Sequence, residues 1–151
     1  MSDGQQPAPV FHDIVQRRIR TIVADDSPEF LWAMGEFLEA QPELELVGRG
    51  SNGKEAVALA GALQPQLVVL DLEMPVMNGL RAAELLRAQS STLRIIVVSI
   101  NDSATWVEAC RVAGVDVFVA KQQLSRELPG QIKRLFTNRA GARIGSDGND
   151  L

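Results

Sequence analysis

The chain has 151 residues and is short of several residue types, and each shortage narrows what the protein can be. The presence of one cysteine, Cys110, excludes an internal disulfide and fits a reducing cytosol. We expect the Cys110 side chain to lie on a helix and to fill part of the core. No block of basic residues occurs and the net charge is −4, so direct binding of nucleic acid is not expected. No apolar run approaches the length of a membrane span, and the first residues lack the charged and apolar regions of a signal peptide. We therefore expect a cytoplasmic protein without membrane insertion.

The composition is that of a folded protein, with 46% hydrophobic and 23% charged residues. The length fits about one domain. Residues 1–18 are predicted to form a polar N-terminal extension, in which the lone histidine, His12, is solvated. Residues 19–138 are predicted to form the domain, and residues 139–151 a disordered C-terminal tail.

Strand-like apolar runs alternate five times with helix-like segments, at 19–24, 44–47, 67–70, 95–98 and 117–120. This alternation predicts βαβ units, and therefore an α/β fold in which a five-stranded parallel sheet has helices on both faces. Ser27 before Pro28 marks the start of the first helix, and Asn52 marks the second. The last helix is predicted to begin near Pro129, because proline is tolerated in the first helical turn. The sheet-facing residues predicted for the first helix are Phe30, Met34, Phe37 and Leu38.

Polar residues stand where four of these runs end: Asp25, Asp26, Asp71, Ser99 and Lys121. The carboxyl ends of parallel strands share one edge of the sheet, which is where open α/β folds place their chemistry. Neighbouring carboxylates repel each other strongly unless a cation offsets their charge. Oxygen ligands without His or Cys favour Mg²⁺, with Mn²⁺ as a second possibility. We therefore predict a site for a cation and a phosphoryl group.

The same residue types suggest a reaction. A carboxylate can be the nucleophile in phosphoryl transfer and form an acyl phosphate. In this interpretation Asp71 attacks the phosphorus, the metal offsets charge, and Lys121 and Ser99 hold the transferred oxygens.

The segment from Asp71 to Gly79, Asp-Leu-Glu-Met-Pro-Val-Met-Asn-Gly, closely resembles the phosphorylation segment of response-regulator receiver domains. The resemblance extends from about Arg20 to Phe136, and five separated motifs occur in the order of the family. It implies the flavodoxin-like, doubly wound (βα)5 fold with strand order 2-1-3-4-5.

By this resemblance, Asp71 matches the phospho-acceptor and Lys121 the lysine that pairs with it. Ser99 matches the Ser/Thr switch and Phe118 the aromatic switch. The resemblance also implies a metal-binding set, in which the second acid of the pair usually binds directly and the first through water. Its members are Asp25, Asp26, Asp71 and the backbone carbonyl of Glu73.

The chain departs from the family pattern at three positions. Gln122 follows Lys121 where the family usually has proline, often after a cis bond, so the shape of this loop is open. Ile100 follows Ser99 where a small residue is common, and a bulky side chain there is a hypothetical obstacle to the water that hydrolyses the phosphoryl group. Glu73 stands at a position that modulates this hydrolysis in the family.

The resemblance implies a signalling receiver that accepts a phosphoryl group from a sensor histidine kinase or a histidine phosphotransfer protein. It would catalyse its own phosphorylation and dephosphorylation, and it would present a face made of helix 4, strand 5 and helix 5 to a downstream protein. Trp106 is expected either to contact that partner or to fill the core. Trp32 is expected to be exposed, where a phosphodonor could dock.

Three alternatives stay open at this point. The chain could be the receiver fragment of a DNA-binding transcription factor, although the short tail after Phe136 and the ordinary N-terminus favour a stand-alone receiver. It could be a pseudo-receiver that binds partners without phosphorylation. It could also be a phosphatase of the haloacid dehalogenase type, although such enzymes require a second aspartate where this chain has Glu73.

Overall fold

A computed structural model describes residues 18–137. Five parallel strands form one sheet in the order β2-β1-β3-β4-β5, which confirms the predicted fold class. The strands are β1 (Ile19–Ala24), β2 (Leu44–Gly50), β3 (Leu67–Asp71), β4 (Arg94–Ser99) and β5 (Val117–Ala120). The helices are α1 (Pro28–Glu39), α2 (Gly53–Leu63), α3 (Gly79–Gln89), α4 (Ala104–Ala113) and α5 (Leu124–Thr137). A single turn of 3-10 helix, Lys121–Gln123, joins β5 to α5.

The sheet is buried on both faces, as its continuous apolar strands predict. Alternate residues of β3 belong to two separate clusters: Val68 and Leu70 pack with α2, α3 and α4, while Leu67 and Val69 pack with α1 and α5. The core therefore consists of two layers with the sheet between them. All five residues of β3 are buried, Asp71 included, so the strand in the middle of the sheet ends in a carboxylate out of solvent.

Side-chain caps fix where the helices begin, and the two predicted ones are confirmed. Ser27 Oγ accepts a hydrogen bond from the Phe30 N–H at 3.2 Å, and Pro28 takes the first helical position of α1. Asn52 Oδ1 accepts from the Glu55 N–H at 2.8 Å and starts α2. These caps matter for the site because α1 begins directly after the acidic pair.

The prediction that the last helix begins near Pro129 is wrong, because α5 begins at Leu124 and Pro129 lies in its second turn. Proline removes the N–H that would bond to the carbonyl of Ser125. Ser125 is exposed, so water can satisfy that carbonyl. Leu128 is fully buried and extends the apolar stripe of Ile132 toward the start of the helix, and this burial offsets the lost bond.

A partly buried arginine joins the elements at the amino edge of the sheet. Arg87 donates to the Gly114 carbonyl from Nε and Nη2, at 3.0 and 2.8 Å, and to the Leu93 carbonyl from Nη1 at 2.6 Å. Its Nη2 also lies 2.9 Å from Asp116 Oδ2, which accepts the Ile95 N–H at 2.8 Å. This network ties the end of α3 to the starts of β4 and β5 and to the end of α4.

Helix α4 is held lightly to the sheet. Cys110 is its one buried residue, as the sequence predicts for this side chain, whereas Val112 is largely exposed. Trp106 is partly buried and packs against the core cluster, which favours a core role over a free contact surface. Trp32 on α1 is exposed, as predicted.

Several predictions concern residues that the structure does not describe. Residues 1–17, including His12, and residues 138–151 lie outside the described part, so the predicted extension, tail and domain boundaries stay predictions. Within residues 18–137, no helix is both long and apolar enough to span a bilayer. The predicted cytoplasmic location stays a prediction.

Candidate functional site

The carboxyl edge of the sheet gathers the three predicted acids. Ala24 pairs in register with Leu70, so Asp25 and Asp71 follow neighbouring positions on adjacent strands. Asp25, Asp26 and Asp71 each offer a carboxylate oxygen, and these oxygens lie within 4.8 Å of one another. Asp25 and Asp71 are buried, whereas Asp26 is exposed. The result is a concentration of negative charge that opens to solvent on one side.

Lys121 bridges two of these acids. Ser99 pairs with Ala120 in the sheet, so Lys121 follows directly at the edge of β5. Its Nζ lies 2.9 Å from Asp25 Oδ2 and 3.2 Å from Asp71 Oδ1, and its side chain is only 16% exposed. One ammonium thus faces three carboxylates, and the cluster keeps an excess of negative charge when all of them are ionised.

This excess changes the acid–base properties of the site. Burial, reinforced by the charge of Asp25, raises the pKa of Asp71 to about 6, against the opposing effect of Lys121. Burial alone would lower the pKa of Lys121, but its contacts with Asp25 and Asp71 outweigh burial and raise it. Lys121 therefore stays charged at neutral pH, and Asp71 loses its proton at about pH 6, so its carboxylate form predominates at neutral pH.

The acidic cluster fits a hard cation. Asp25 Oδ1 accepts the Ser27 N–H at 2.9 Å, but the buried Oδ2 accepts no hydrogen bond from the described residues. Its 2.9 Å ion pair with Lys121 occupies one side of this oxygen, and a carboxylate oxygen has a second lone pair with which it can hold a cation. Closely spaced carboxylate oxygens with an unused lone pair are what Mg²⁺ or Mn²⁺ prefers.

The two predicted switch residues lie on neighbouring strands. Ser99 ends β4 and is buried, and its Oγ accepts the Asn101 N–H at 2.9 Å. That bond leaves the hydroxyl proton free to donate to another acceptor. Phe118 lies on β5, is partly buried and packs against the cluster that also contains Cys110 on α4. The geometry is compatible with the predicted switch roles, which stay predictions.

The loop between β3 and α3 holds a conformation that is unusual for its sequence. Val76 has φ +69°, in the left-handed region that a β-branched residue rarely adopts, and Met77 N–H donates to the Pro75 carbonyl at 2.6 Å across it. Gly79 opens α3, and a Cβ at this position would overlap the carbonyl oxygen of Asp71. Gly79 is therefore required for the close approach of the helix start to the end of β3.

Glu73 is exposed in the same loop, and its predicted role as a carbonyl ligand stays a prediction. No cis peptide bond occurs in the part of the chain that the structure describes, so Gln122 follows Lys121 through a trans bond and continues the 3-10 turn. Ile100 is 70% exposed beside Ser99, and the proposed effect of its bulk on hydrolysis stays a hypothesis.

Three residues near the site were not identified from the sequence as functional. Phe30, predicted only to face the sheet, lies with its ring centroid 4.0 Å from Lys121 Nζ. Ser27, predicted only as a helix cap, holds Asp25 Oδ1. Gly53 donates its N–H to the Met77 carbonyl at 2.8 Å and so braces the loop after Asp71. Apolar periodicity and capping patterns describe local structure, and no sequence signal places these residues next to a lysine or a loop far along the chain.

Fold and site together define an α/β protein with a lysine-bridged acidic cluster at the carboxyl edge of its sheet. A model of the response regulator receiver domain matches residues 21–133. The chain therefore belongs to the receiver domain family of two-component response regulators. This membership confirms the resemblance that the sequence suggested, and it argues against the phosphatase alternative.

Individual proteins support the family assignment. The chain is 32% identical over 126 residues to the nitrate/nitrite response regulator protein NarL of Escherichia coli (strain K12), covering 83% of this chain and 57% of the relative. It is 34% identical over 110 residues to the protein-glutamate methylesterase/protein-glutamine glutaminase of Thermotoga maritima, covering 72% of this chain and 32% of that protein. Among solved structures, the signal receiver domain of a NarL response regulator from Mycobacterium tuberculosis superposes with a TM-score of 0.76 at 25% identity, covering 82% of this chain and 99% of that domain.

The matched regions show what the relatives share with this chain. The chain spans about half of one relative and a third of the other, whereas it covers nearly the whole of the isolated receiver domain. The activities of the longer proteins therefore do not transfer with the match.

Proposed function

We propose that this receiver accepts a phosphoryl group on Asp71 from a sensor histidine kinase or a histidine phosphotransfer protein, and that the modification switches a partner-binding face. The observation that carries the proposal is the position of Lys121 Nζ between Asp25 and Asp71, 2.9 and 3.2 Å from their carboxylate oxygens, beside the three-acid cluster. A purely structural ion pair would not require two further acids around one lysine.

The proposed reaction is an in-line displacement at phosphorus. A carboxylate oxygen of Asp71 forms a new P–O bond while the P–N bond to the donor imidazole breaks, and the electron pair of that bond stays on the imidazole nitrogen. Lys121 offsets negative charge on the oxygens of the phosphoryl group, and the Ser99 hydroxyl donates to one of them. In the separate hydrolysis step, a water oxygen forms a bond to phosphorus while the P–O bond to Asp71 breaks, so that inorganic phosphate leaves with the water protons and the Asp71 carboxylate is restored.

Asp25, Asp26 and Asp71 are the side chains that would hold Mg²⁺, or Mn²⁺ in its place, and the backbone carbonyl of Glu73 is the proposed further ligand. When bound, the ion neutralises charge where the phosphoryl oxygens and the carboxylates meet. The excess of carboxylates over cationic groups supports this assignment, as does Asp25 Oδ2, which is paired with Lys121 but accepts no backbone N–H from residues 18–137.

The output follows from the charge that phosphorylation adds. A phosphoryl group on Asp71 brings new acceptor oxygens to the end of β3, and the Ser99 hydroxyl proton is available to one of them. Movement of Ser99 and Phe118 would then shift α4, which is only lightly held to the sheet, together with β5 and α5. Differential stabilisation of a few kcal/mol suffices to shift such an equilibrium.

Intact-mass measurement with a small phosphoryl donor tests the proposal. The protein is incubated with Mg²⁺ and acetyl phosphate, and we expect it to gain the mass of one phosphoryl group. Asp71→Asn should abolish the gain because it removes the nucleophile, whereas Asp102→Asn, at an exposed aspartate outside the cluster, should retain it. No gain in the unsubstituted protein, or an equal gain in Asp71→Asn, would overturn the proposal.

Of the two remaining alternatives, only one predicts a different result in this measurement. A pseudo-receiver would bind its partner with no mass gain under any of these conditions. The receiver of a DNA-binding regulator would gain the same mass as a stand-alone receiver. The two differ only in the downstream target, which is an attached DNA-binding domain in the first case and a separate protein in the second. The partial coverage of the NarL relative keeps this second alternative open.

A further inference from the structure

An aromatic ring lies against the charged end of Lys121. The centroid of the Phe30 ring is 4.0 Å from Lys121 Nζ, well within the range of a cation–π contact. The same ammonium contacts Asp25 and Asp71, so three side chains surround it, two from the stretch that runs from the end of β1 into the first turn of α1 and one from the end of β3. Lys121 is largely buried, and the electrostatic attraction to a ring is greatest where water is excluded.

The ring is held in place by a closed chain of contacts that returns to the acidic pair. The Ser27 N–H donates to Asp25 Oδ1 at 2.9 Å, and Ser27 Oγ accepts the Phe30 N–H at 3.2 Å. Pro28 restrains the backbone between them at the first helical position of α1. Phe30 then contacts Lys121, and Lys121 returns to Asp25. The first turn of α1 is thus fixed to the same carboxylate that the lysine must reach.

Lysine has a particular need for such a contact. Its ammonium is carried on a flexible stem of four carbons and has no preferred direction toward a carboxylate. At Lys121, the following residue is Gln122, so no proline ring restrains the backbone on that side. The two aspartates attract the ammonium but do not restrict its direction, whereas a ring face excludes water and restricts where the charge can lie.

We infer that Phe30 is a positioning residue, which holds Lys121 Nζ between Asp25 and Asp71 through the face of its ring. The inference rests on the proposed function only for its effect on phosphorylation, because the position of Lys121 can be measured separately. The ring also packs against the apolar cluster below α1, so the test must separate positioning from packing.

The chain offers a matched control in Phe37. It lies on the same helix and packs partly buried against the same apolar cluster, and no contact with Lys121 involves it. Phe30→Leu and Phe37→Leu therefore both replace a partly buried ring by a smaller apolar side chain. Phe30→Tyr is the third variant, because it retains the ring face. Thermal unfolding of all three shows whether each one folds.

The direct readout is the NMR signal of the Lys121 side chain. Protons next to an aromatic ring face are shifted upfield, so the Lys121 Hε signals should lie upfield of ordinary lysine values in the full chain without a phosphoryl donor. Phe30→Leu should remove this shift, while Phe37→Leu and Phe30→Tyr should retain it. If Lys121 signals are ordinary in the unsubstituted protein, or unchanged in Phe30→Leu, the inference is overturned.

The functional readout is the rate of phosphorylation with Mg²⁺ and acetyl phosphate. We expect Phe30→Leu to lower the rate about five-fold, in keeping with the loss of one cation–π contact, while Phe37→Leu and Phe30→Tyr stay close to the unsubstituted rate. Equal losses in the two leucine variants would mean packing and would overturn the inference. If the unsubstituted protein gains no phosphoryl group, the proposed function fails, and the Lys121 signals alone decide whether Phe30 positions the lysine.

Discussion

Two partly buried ion pairs lie at opposite edges of the sheet, and their surroundings differ sharply. At the amino edge, Arg87 meets Asp116 at 2.9 Å, and at the carboxyl edge Lys121 meets Asp25 at the same distance. Arg87 also donates to backbone carbonyls, and Asp116 accepts a backbone N–H, so fixed dipoles satisfy both partners. Lys121 has carboxylates and a ring around it, and one oxygen of Asp25 accepts no hydrogen bond from residues 18–137.

The difference shows that one edge of the sheet contributes mainly to stability, while the opposite edge carries the groups proposed to react. The Arg87 network joins four elements and leaves little capacity for a ligand, so its role is structural. The cluster around Lys121 has more negative than positive charge and holds a carboxylate whose pKa is raised to about 6. The excess negative charge destabilises the folded protein, and a bound cation can reduce this destabilisation.

The largest expected effect comes from breaking each pair at its cation. Arg87→Leu should lower the free energy of unfolding by about 3 kcal/mol, because Asp116 and several carbonyls lose their partner in a poorly solvated region.

Lys121→Met should lower the rate of phosphorylation about a hundred-fold with a much smaller loss of stability in Mg²⁺, because the cation can offset the remaining acids. Denaturant unfolding and intact-mass kinetics measure the two quantities.

A reversed result would contradict the comparison. If Lys121→Met proved the less stable variant in Mg²⁺, the lysine would be mainly structural. If Arg87→Leu stayed folded but lost phosphorylation as fully as Lys121→Met, the amino edge would take part in the chemistry.

A smaller effect is expected from the raised pKa of Asp71. Its value of about 6 in the folded protein exceeds the ordinary 3.8, so the folded state binds the proton more tightly than the unfolded chain. The contribution of Asp71 to stability therefore falls as pH rises between these two values and stays low above them. Asp71→Asn removes this titration and should be more stable than the unsubstituted protein at pH 8 without Mg²⁺, by about 2 kcal/mol.

The difference between the two proteins should shrink as pH falls toward the ordinary pKa of an aspartate, where both side chains are neutral. Saturating Mg²⁺ should also shrink it, because the ion binds the carboxylate form and stabilises the folded state. Paired chemical unfolding curves at several pH values provide the measurement. A variant that is less stable than the unsubstituted protein at pH 8 would show that Asp71 is well compensated and that the cluster is not strained.

The smallest expected effect concerns the loop beside the acceptor. Val76 is 76% exposed and has φ +69°, so Val76→Asn loses little packing and relieves the conflict between a branched side chain and a left-handed backbone. We expect the free energy of unfolding to rise by about 1 kcal/mol. The matched control is Ile100→Asn, which changes an equally exposed apolar residue at a position without positive φ.

Equal changes in these two loop variants would assign the effect to surface hydrophobicity. A gain confined to Val76→Asn would show that the loop after Asp71 holds backbone strain, a feature that extends the contrast between the two edges.

Local patterns in the sequence were sufficient for most of the fold. Strand periodicity and the caps at Ser27 and Asn52 depend on neighbouring residues, and both agree with the structure. The predicted start of α5 was wrong. The preference of proline for the first helical turn placed the start near Pro129, but the burial of Leu128 outweighs that preference, and this burial depends on the rest of the core. A tertiary contact overrode the local preference.

The candidate site shows the same division. The approach of Asp25, Asp26 and Asp71 was predictable, since parallel strands bring their carboxyl ends to one edge. The contact between Phe30 and Lys121 was not, because it depends on how α1 sits against a loop some ninety residues later. A phenylalanine at helical spacing has the same sequence pattern whether it packs on leucine or on an ammonium.

The sparse anchoring of α4 has a practical consequence. The helix keeps a single side chain fully inside, and that side chain is the only thiol in the molecule. Burial raises the pKa of Cys110 to about 11, so the thiol is unreactive while the helix stays seated. The rate at which a thiol-modifying reagent reacts with Cys110 therefore reports how often α4 separates from the core. No engineered label is needed, and no second thiol contributes background.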